Sequence, residues 1–205
     1  MPRSGSLNRR KRTIFWTLIA GIVAADVLTK LIAVRTLVPY RMPREVFGEW
    51  VRFTLVYNQG AAFGLHLGPW SRQIFLILTV LALLILGRLY KEARSDDRSR
   101  LVALGLVCGG AIGNMIDRIH SPRGVVDFLD IGFGNWRWPT FNVADIAVTT
   151  GAILLAWVLW GEDKEREREA SLLQGSGSRD QGAGVMDAGA GIGAAGIRKQ
   201  GEGGE

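Results

Sequence analysis

Four long apolar segments constrain the fold of this 205-residue chain more strongly than any other feature. A transmembrane α-helix needs about 20 predominantly apolar residues to cross the hydrocarbon core of a bilayer. Four stretches of the sequence meet this requirement, at residues 13–34, 71–90, 101–119 and 141–160. The sequence therefore predicts an all-α membrane protein with four transmembrane helices.

Basic residues set the orientation of such a protein, because short loops rich in Lys and Arg stay on the cytoplasmic side. The chain has a net charge of +6, and its basic residues gather at 9–12, 88–100 and 164–168. They flank the apolar segments and form no stripe on a soluble fold, so we expect no nucleic-acid partner. With four spans, this charge pattern places both termini in the cytoplasm.

The composition divides the chain into three regions. Residues 1–12 are a basic cytoplasmic N-terminus, residues 13–161 the membrane domain, and residues 162–205 a charged and then Gly-rich cytoplasmic tail. The first apolar segment is longer than the core of a signal peptide and contains Asp26 and Lys30, so we expect a retained helix. From residue 175 onward the tail has too little apolar surface to offset chain entropy, and we expect disorder.

The first outer connection, residues 35–69, is long enough to contain a small subdomain. Its segment 50–57 alternates like a half-buried strand, and turn-forming residues follow in Asn58-Gln-Gly60. We therefore expect a small β-sheet on the outer membrane face. The single cysteine excludes an intrachain disulfide, and with the distant His66 and His120 it lacks the ligand spacing of a usual zinc site.

Charged residues inside the apolar segments are costly and therefore indicate candidate sites. Asp26 and Lys30 lie four residues apart, so they share one face of the first helix and can pair. The pair is either a structural ion pair near the outer interface or a direct contact to a ligand.

Polar residues also gather at the outer end of the third segment. Asn114, Asp117 and Arg118 share a helix face, and Gly109 and Gly113 form a Gly-x-x-x-Gly pair that lets another helix approach closely. We expect a structural network in which Arg118 pairs with a carboxylate and holds Asp117 ionised.

Two further carboxylates fall at the outer interface. Asp145 lies with Asn142 in the first turns of the fourth segment, and Asp127 lies in the β-prone stretch Gly124-Val-Val-Asp-Phe128. Two carboxylates brought together in a poorly hydrated place tend to share a proton and can then activate water. Alternatively, Asp145 caps a helix and Asp127 lies in a turn, and spacing does not decide between these readings.

Buried carboxylates, amides and arginines also occur in other classes of membrane protein. A small transporter or proton relay uses such groups along its pathway, and a structural protein uses them to join helices. The polar groups of this sequence cluster at the outer ends of the spans, whereas a relay needs them through the full thickness. We therefore keep the transporter as the alternative function.

Five short motifs occur in order over about residues 13–161, and they read Asp26-Val-Leu-Thr-Lys30, Asn58-Gln-Gly-Ala-Ala-Phe-Gly64, Gly113-Asn-Met-Ile-Asp-Arg118, Val126-Asp-Phe128 and Phe141-Asn-Val-Ala-Asp145. Taken together, they resemble the motifs of the lipoprotein signal peptidase (signal peptidase II) family, the aspartic proteases of the bacterial inner membrane. Each motif alone is weak, but five in order among four spans are specific.

The resemblance implies four transmembrane helices, a small periplasmic sheet and an active site near the periplasmic face of the inner membrane. It implies cleavage of the signal peptide from diacylglyceryl-modified prolipoproteins, just before the lipidated cysteine, with no metal and no other cofactor. We expect a monomer whose partners are these substrates and membrane lipids.

The resemblance also implies a role for individual residues. Asp127 and Asp145 would be the catalytic dyad, and Asp26 and Lys30 a structural pair. The substrate-binding or supporting residues would be Asn58, Gly60, Asn114, Asp117, Arg118, Asn142 and Ala144.

Overall fold

The computed structural model describes residues 4–60 and 67–188, so the end of the Asn58–Gly64 motif and residues 189–205 of the tail lie outside the described residues. Four of its helices are long and apolar enough to cross a membrane. The helices are α1 (Ser4–Thr36), α2 (Ser71–Glu92), α3 (Arg98–His120) and α4 (Val143–Ala188). The strands are β1 (Arg44–Phe47), β2 (Val51–Asn58), β3 (Val125–Phe133) and β4 (Trp136–Arg137). The predicted four-helix membrane fold with a small sheet is confirmed.

The helix ends differ from the predicted spans where charged residues continue the helix. Helix α1 begins at Ser4, ahead of the apolar segment, because Arg and Lys are good helix formers. Lys11 on this early part donates to the carbonyl oxygens of Lys91 and Ala93, which lie at the end of α2 and lack helical partners. The charged side chain of Lys11 therefore joins α1 and α2. It does so outside the apolar core, at the end of the helices that the sequence places in the cytoplasm.

Helix α4 continues past residue 160 to Ala188. Glu, Lys and Arg favour the helix over 162–168, but the composition of 175–188, where the sequence predicts disorder, gives no physical reason for it. The boundary between two compact units falls between Val158 and Leu159. The division into membrane domain and tail at residue 161 stays a prediction.

Helix α3 packs closely against α1 through its small residues. A Cβ atom at Gly109 would lie 2.9 Å from Cβ of Ile22, and one at Gly113 would lie 2.6 Å from Oδ2 of Asp26. The predicted close approach of another helix to the Gly-x-x-x-Gly pair is confirmed. It brings the polar ends of α1 and α3 together.

The four strands form one antiparallel sheet in the order β1-β2-β3-β4. On one face, Leu55, Val126 and Phe128 pack against Ala33 and Leu37 at the end of α1. Successive side chains of a strand point to opposite faces, so Asp127, which lies between Val126 and Phe128, points to the other face. The sheet therefore presents Asp127 to Asn142, which directly precedes α4.

Candidate active site

Strand β3 holds Asp127 in a buried position between two amide side chains. Only 2% of the residue is exposed. The Nδ2 atom of Asn142 donates to Oδ1 of Asp127 at 2.8 Å, and Nδ2 of Asn58 on β2 donates to Oδ2 at 3.1 Å. Each carboxyl oxygen therefore has a donor, which fixes the plane of the group.

Asp145 belongs to a capping box at the start of α4. Asn142 precedes the helix, and its Oδ1 accepts the Asp145 N–H at 2.9 Å, while Oδ2 of Asp145 accepts the Asn142 N–H at 3.2 Å. The other oxygen of Asp145 accepts from Nδ2 of Asn114 at 2.8 Å. Asp145 is therefore a helix cap, and the same contacts orient its carboxylate.

Both carboxylates line one cavity of about 420 Å³. Asn142 joins them, because its side chain donates to Asp127 and its backbone donates to Asp145. Asp127 is buried, whereas Asp145 is half-buried and closer to solvent. The sequence left open whether Asp145 is a helix cap or pairs with Asp127. The two are compatible, because the cap itself places Asp145 beside the cavity that Asp127 faces.

The surroundings of Asp127 favour its protonated form. Burial, and next the negative charge of Asp145, raise the pKa of Asp127 from 3.8 to about 7, against the opposing effect of the two amide donors and Lys30. A large fraction of the Asp127 carboxyls therefore carries a proton near neutral pH. A carboxyl that retains a proton near neutral pH, with a second carboxyl on the same cavity, gives the site two groups that can take part in general acid–base hydrolysis.

Asn114 and Lys30 connect this pair to the membrane helices. Oδ1 of Asn114 accepts from Nζ of Lys30 and from Nδ2 of Asn142, each at 3.0 Å. Lys30 also pairs with Asp26 at 2.7 Å and with Asp117 at 3.0 Å. Oδ1 of Asp26 in turn accepts the N–H of Ala144 at 3.0 Å. The predicted Asp26–Lys30 pair is present, and it lies beneath the cavity.

The expected pairing of Arg118 with a carboxylate is wrong. Among the described residues Arg118 forms no ion pair, and its guanidinium donates to the carbonyl oxygens of Asn114 and Gly60. Neighbouring residues of a helix point in different directions, so Arg118 does not face Asp117. Lys30 from α1 takes that carboxylate instead, and Asp117 also accepts the N–H of Val126 at 3.1 Å.

The other residues singled out in the sequence divide into two groups. Asn58, Asn114 and Arg118 line the cavity together with the two aspartates. Gly60, Asn142 and Ala144 do not: Asn142 is fully buried behind the carboxylates, Ala144 packs against Gly113, and Gly60 donates its N–H to Asn58. Their contacts support the groups that line the cavity.

Sequence reasoning missed most of the apolar wall. It is formed by the segment before α4 and by one face of the first turns of α4, namely Trp138, Pro139, Thr140, Phe141, Ile146, Val148, Thr149 and Thr150. Apart from Phe141, which opens a quoted motif, these residues carry no distinctive chemistry, and only the fold places them opposite Asp127. Among the described residues, no group of three or more His, Cys, Asp or Glu side chains is placed to hold a metal ion.

Comparison with known proteins agrees with this geometry. Residues 18–161 match the family described as Signal peptidase (SPase) II. A lipoprotein signal peptidase from Chlorobium phaeobacteroides is 38% identical over 155 residues, which cover 72% of this chain and 94% of the relative. A second, from Maridesulfovibrio salexigens, is 41% identical over 145 residues, covering 67% of this chain and 92% of the relative.

Solved structures of bacterial membrane enzymes are also similar to this chain. A bacterial membrane enzyme determined by the in meso method at 2.3 Å resolution superposes with a TM-score of 0.64 and 30% identity, covering 73% of this chain and 88% of that one. Another bacterial membrane enzyme, determined by the same method at 1.9 Å resolution, superposes with a TM-score of 0.60 and is 32% identical in sequence. The match covers 70% of this chain and 90% of that one. The protein is a multi-pass membrane protein, and it belongs to the signal peptidase II family.

Proposed function

We propose that this protein is an aspartic endopeptidase that removes the signal peptide from diacylglyceryl-modified prolipoproteins, cutting just before the lipidated cysteine. The observation that carries the proposal is the placement of Asp127 and Asp145 on one cavity, each oriented by two N–H donors. The proposed setting is the bacterial inner membrane, with both termini in the cytoplasm and the cavity near the periplasmic face. The protein acts as a monomer.

The difference in burial between the two carboxyls assigns their roles. Water reaches the half-buried Asp145 first, so Asp145 takes a proton from the attacking water. Asp127, whose raised pKa leaves a large fraction of it protonated near neutral pH, hydrogen-bonds the scissile carbonyl oxygen while the water attacks. It then gives that same proton to the leaving amine as the C–N bond breaks, and the proton taken from water stays on Asp145. The reaction uses water directly and passes through no covalent acyl-enzyme.

The walls of the cavity suit a substrate that is partly in lipid. Trp138, Phe141 and Ile146 offer apolar surface to the signal segment, while Asn58 and Arg118 offer donors to its backbone carbonyls. The acyl chains of the substrate remain in the bilayer, and its signal helix lies between spans of the enzyme. Membrane lipids are therefore partners as well as solvent.

Cleavage of a purified diacylglyceryl-modified prolipoprotein in detergent tests the proposal. The wild type should cut it, and Asp127→Asn and Asp145→Asn should each lose at least about 100-fold in kcat, the usual range for removing a general acid or base. The same substrate without its lipid should not be cut. Mass spectrometry of the product locates the cut relative to the cysteine.

Two aspartate variants provide matched controls. Asp130 lies on the same strand and is also buried, but it is paired with Arg137 at 2.8 Å, and Asp96 is an exposed residue beyond α2. Folded Asp130→Asn and Asp96→Asn proteins should retain activity. Full activity of Asp127→Asn would exclude the dyad and make Asp117 the next candidate, while an inactive, folded wild type would exclude the peptidase.

A further inference from the structure

A second cavity, of about 630 Å³, is lined by residues that the peptidase reaction does not use. Its walls are Tyr40, Arg41, Tyr57, Gln59 and Arg123. Tyr57 and Asn58 are neighbours on β2, and neighbouring strand residues point to opposite faces of a sheet. The second cavity and the active site therefore use opposite faces of the same strand.

Four planar side chains are stacked along this cavity. The Arg123 guanidinium carbon lies 4.1 Å from the centroid of the Tyr57 ring. The rings of Tyr57 and Tyr40 stack with centroids 5.8 Å apart, and the Arg41 guanidinium carbon lies 5.2 Å from the Tyr40 centroid. Cation–π contacts of this kind hold a guanidinium in place without using its N–H donors. Two oriented sets of donors therefore face one cavity.

The described residues do not neutralise the positive charge in this cavity. Within residues 4–60 and 67–188, no acidic residue lines the cavity, and neither Arg41 nor Arg123 forms an ion pair. Arg41 also has a backbone φ of 63°, a conformation that non-glycine residues rarely adopt. Its N–H donates to the carbonyl of Leu55 at 3.1 Å, which fixes this strained residue against β2. The fold thus holds a guanidinium group at a place where the described part of the chain supplies no acidic partner.

The position of the cavity in the chain indicates what neutralises it. Tyr40 and Arg41 follow the end of α1 at Thr36, and Arg123 follows the end of α3 at His120, both ends lying on the sheet side. Residues a few positions beyond a transmembrane helix lie in the polar layer of the bilayer, about 5–7 Å thick, where Tyr side chains concentrate. We propose that this cavity binds the phosphate-bearing headgroup of an anionic membrane phospholipid.

Native mass spectrometry of the full chain in detergent tests the proposal with a short-chain phosphatidylglycerol as the probe. The wild type should retain the anionic lipid over a short-chain phosphatidylcholine. Removing both guanidinium groups in Arg41→Gln/Arg123→Gln should weaken retention about 30-fold, given the usual contribution of basic residues near an anionic surface. Arg41→Lys/Arg123→Lys keeps the charge, loses the planar stack, and should retain an intermediate amount.

The matched control is Arg35→Gln/Arg44→Gln, which removes the same charge on the sheet side, from the last turn of α1 and from β1, at two positions that do not line the cavity. It should bind lipid like the wild type, and the melting temperature without lipid shows that each variant is folded. Equal retention by a folded Arg41→Gln/Arg123→Gln protein would overturn the proposal. So would equal stabilisation by inorganic phosphate, or tighter binding of a short acidic peptide, because these would assign the cavity to a free anion or to a polypeptide.

Discussion

Replacing Asp127 by Asn removes a carboxyl group that the fold forces toward its protonated form. Burial and the charge of Asp145 raise its pKa from 3.8 to about 7. At about 1.4 kcal/mol per pKa unit, ionising Asp127 in the folded protein costs about 4 kcal/mol. Below about pH 4 both the folded and unfolded chains are protonated, so this cost is absent there. It grows as the pH rises and is complete above about pH 7.

The neutral Asn side chain avoids this cost, so Asp127→Asn should gain stability relative to the wild type as the pH rises. Between about pH 5 and about pH 8.5 the gain should grow by about 2–3 kcal/mol. For a chain of this size that corresponds to a relative rise in Tm of about 5–10 °C. The new amide leaves one neighbouring donor, Asn58 or Asn142, without an acceptor, but this loss is the same at both pH values and cancels.

Thermal unfolding in detergent at the two pH values measures this difference. Asp130→Asn is the control, because Asp130 is paired with Arg137, and loss of that pair should lower Tm by a similar amount at both pH values. A Tm difference between Asp127→Asn and wild type that does not change from about pH 5 to about pH 8.5 would refute the reasoning. The acid role assigned to Asp127 would then lose its physical basis.

Three further substitutions have definite expected outcomes. Lys30→Ala leaves the buried Asp26 and the half-buried Asp117 without their ionic partner and should cost about 3–5 kcal/mol in thermal unfolding. Lys91→Ala, at an exposed site, should not, and equal melting temperatures of the two variants would contradict the network. Gly113→Ala places a Cβ atom 2.6 Å from a carboxylate oxygen of Asp26 and should lower the free energy of unfolding by about 1–3 kcal/mol. The control Gly87→Ala meets no atom within 4 Å and should raise it by up to about 1 kcal/mol. The reverse order of stability would disprove the close packing of α3 against α1. Asn142→Ala should lower kcat about 100-fold, because it removes the donor to Asp127. Asn142→Ser keeps an oxygen that can cap α4, so it should recover thermal stability but not kcat. Recovery of both by Asn142→Ser would show that Asn142 acts only as a helix cap.

The membrane fold follows from the sequence because its determinants are local. Apolar length and flanking charge predict all four spans, and alternation predicts the strand that is observed as β2. The Asp26–Lys30 pair is also local, since one turn of helix brings the two residues together. The helical extension of α4 is the exception, because propensity alone does not predict it beyond residue 175.

The partners of the polar residues could not be predicted, because they are set by packing between distant segments. Lys30 pairs with Asp117 only because Gly109 and Gly113 let α1 and α3 approach closely. The spacing within α3 instead suggested Arg118, which points elsewhere. The apolar wall of the cavity is likewise invisible in the sequence, since residues such as Ile146 face Asp127 only after β3 and α4 are assembled.

The distribution of these groups through the membrane bears on the alternative function as a proton relay. Between Arg12 and Asp26 on α1, and between Arg100 and Asn114 on α3, the helices run for about 20 Å without an ionisable group other than the buried Cys108. That length is filled by a hydrophobic cluster that includes Phe15, Leu101 and Leu104. A relay needs proton carriers at intervals that hydrogen bonds or single waters can bridge. In the described part of the chain the polar network from Asp26 to Asp145 ends at the apolar cluster, so it can exchange protons with the sheet side alone, as the proposed hydrolysis at one membrane face requires.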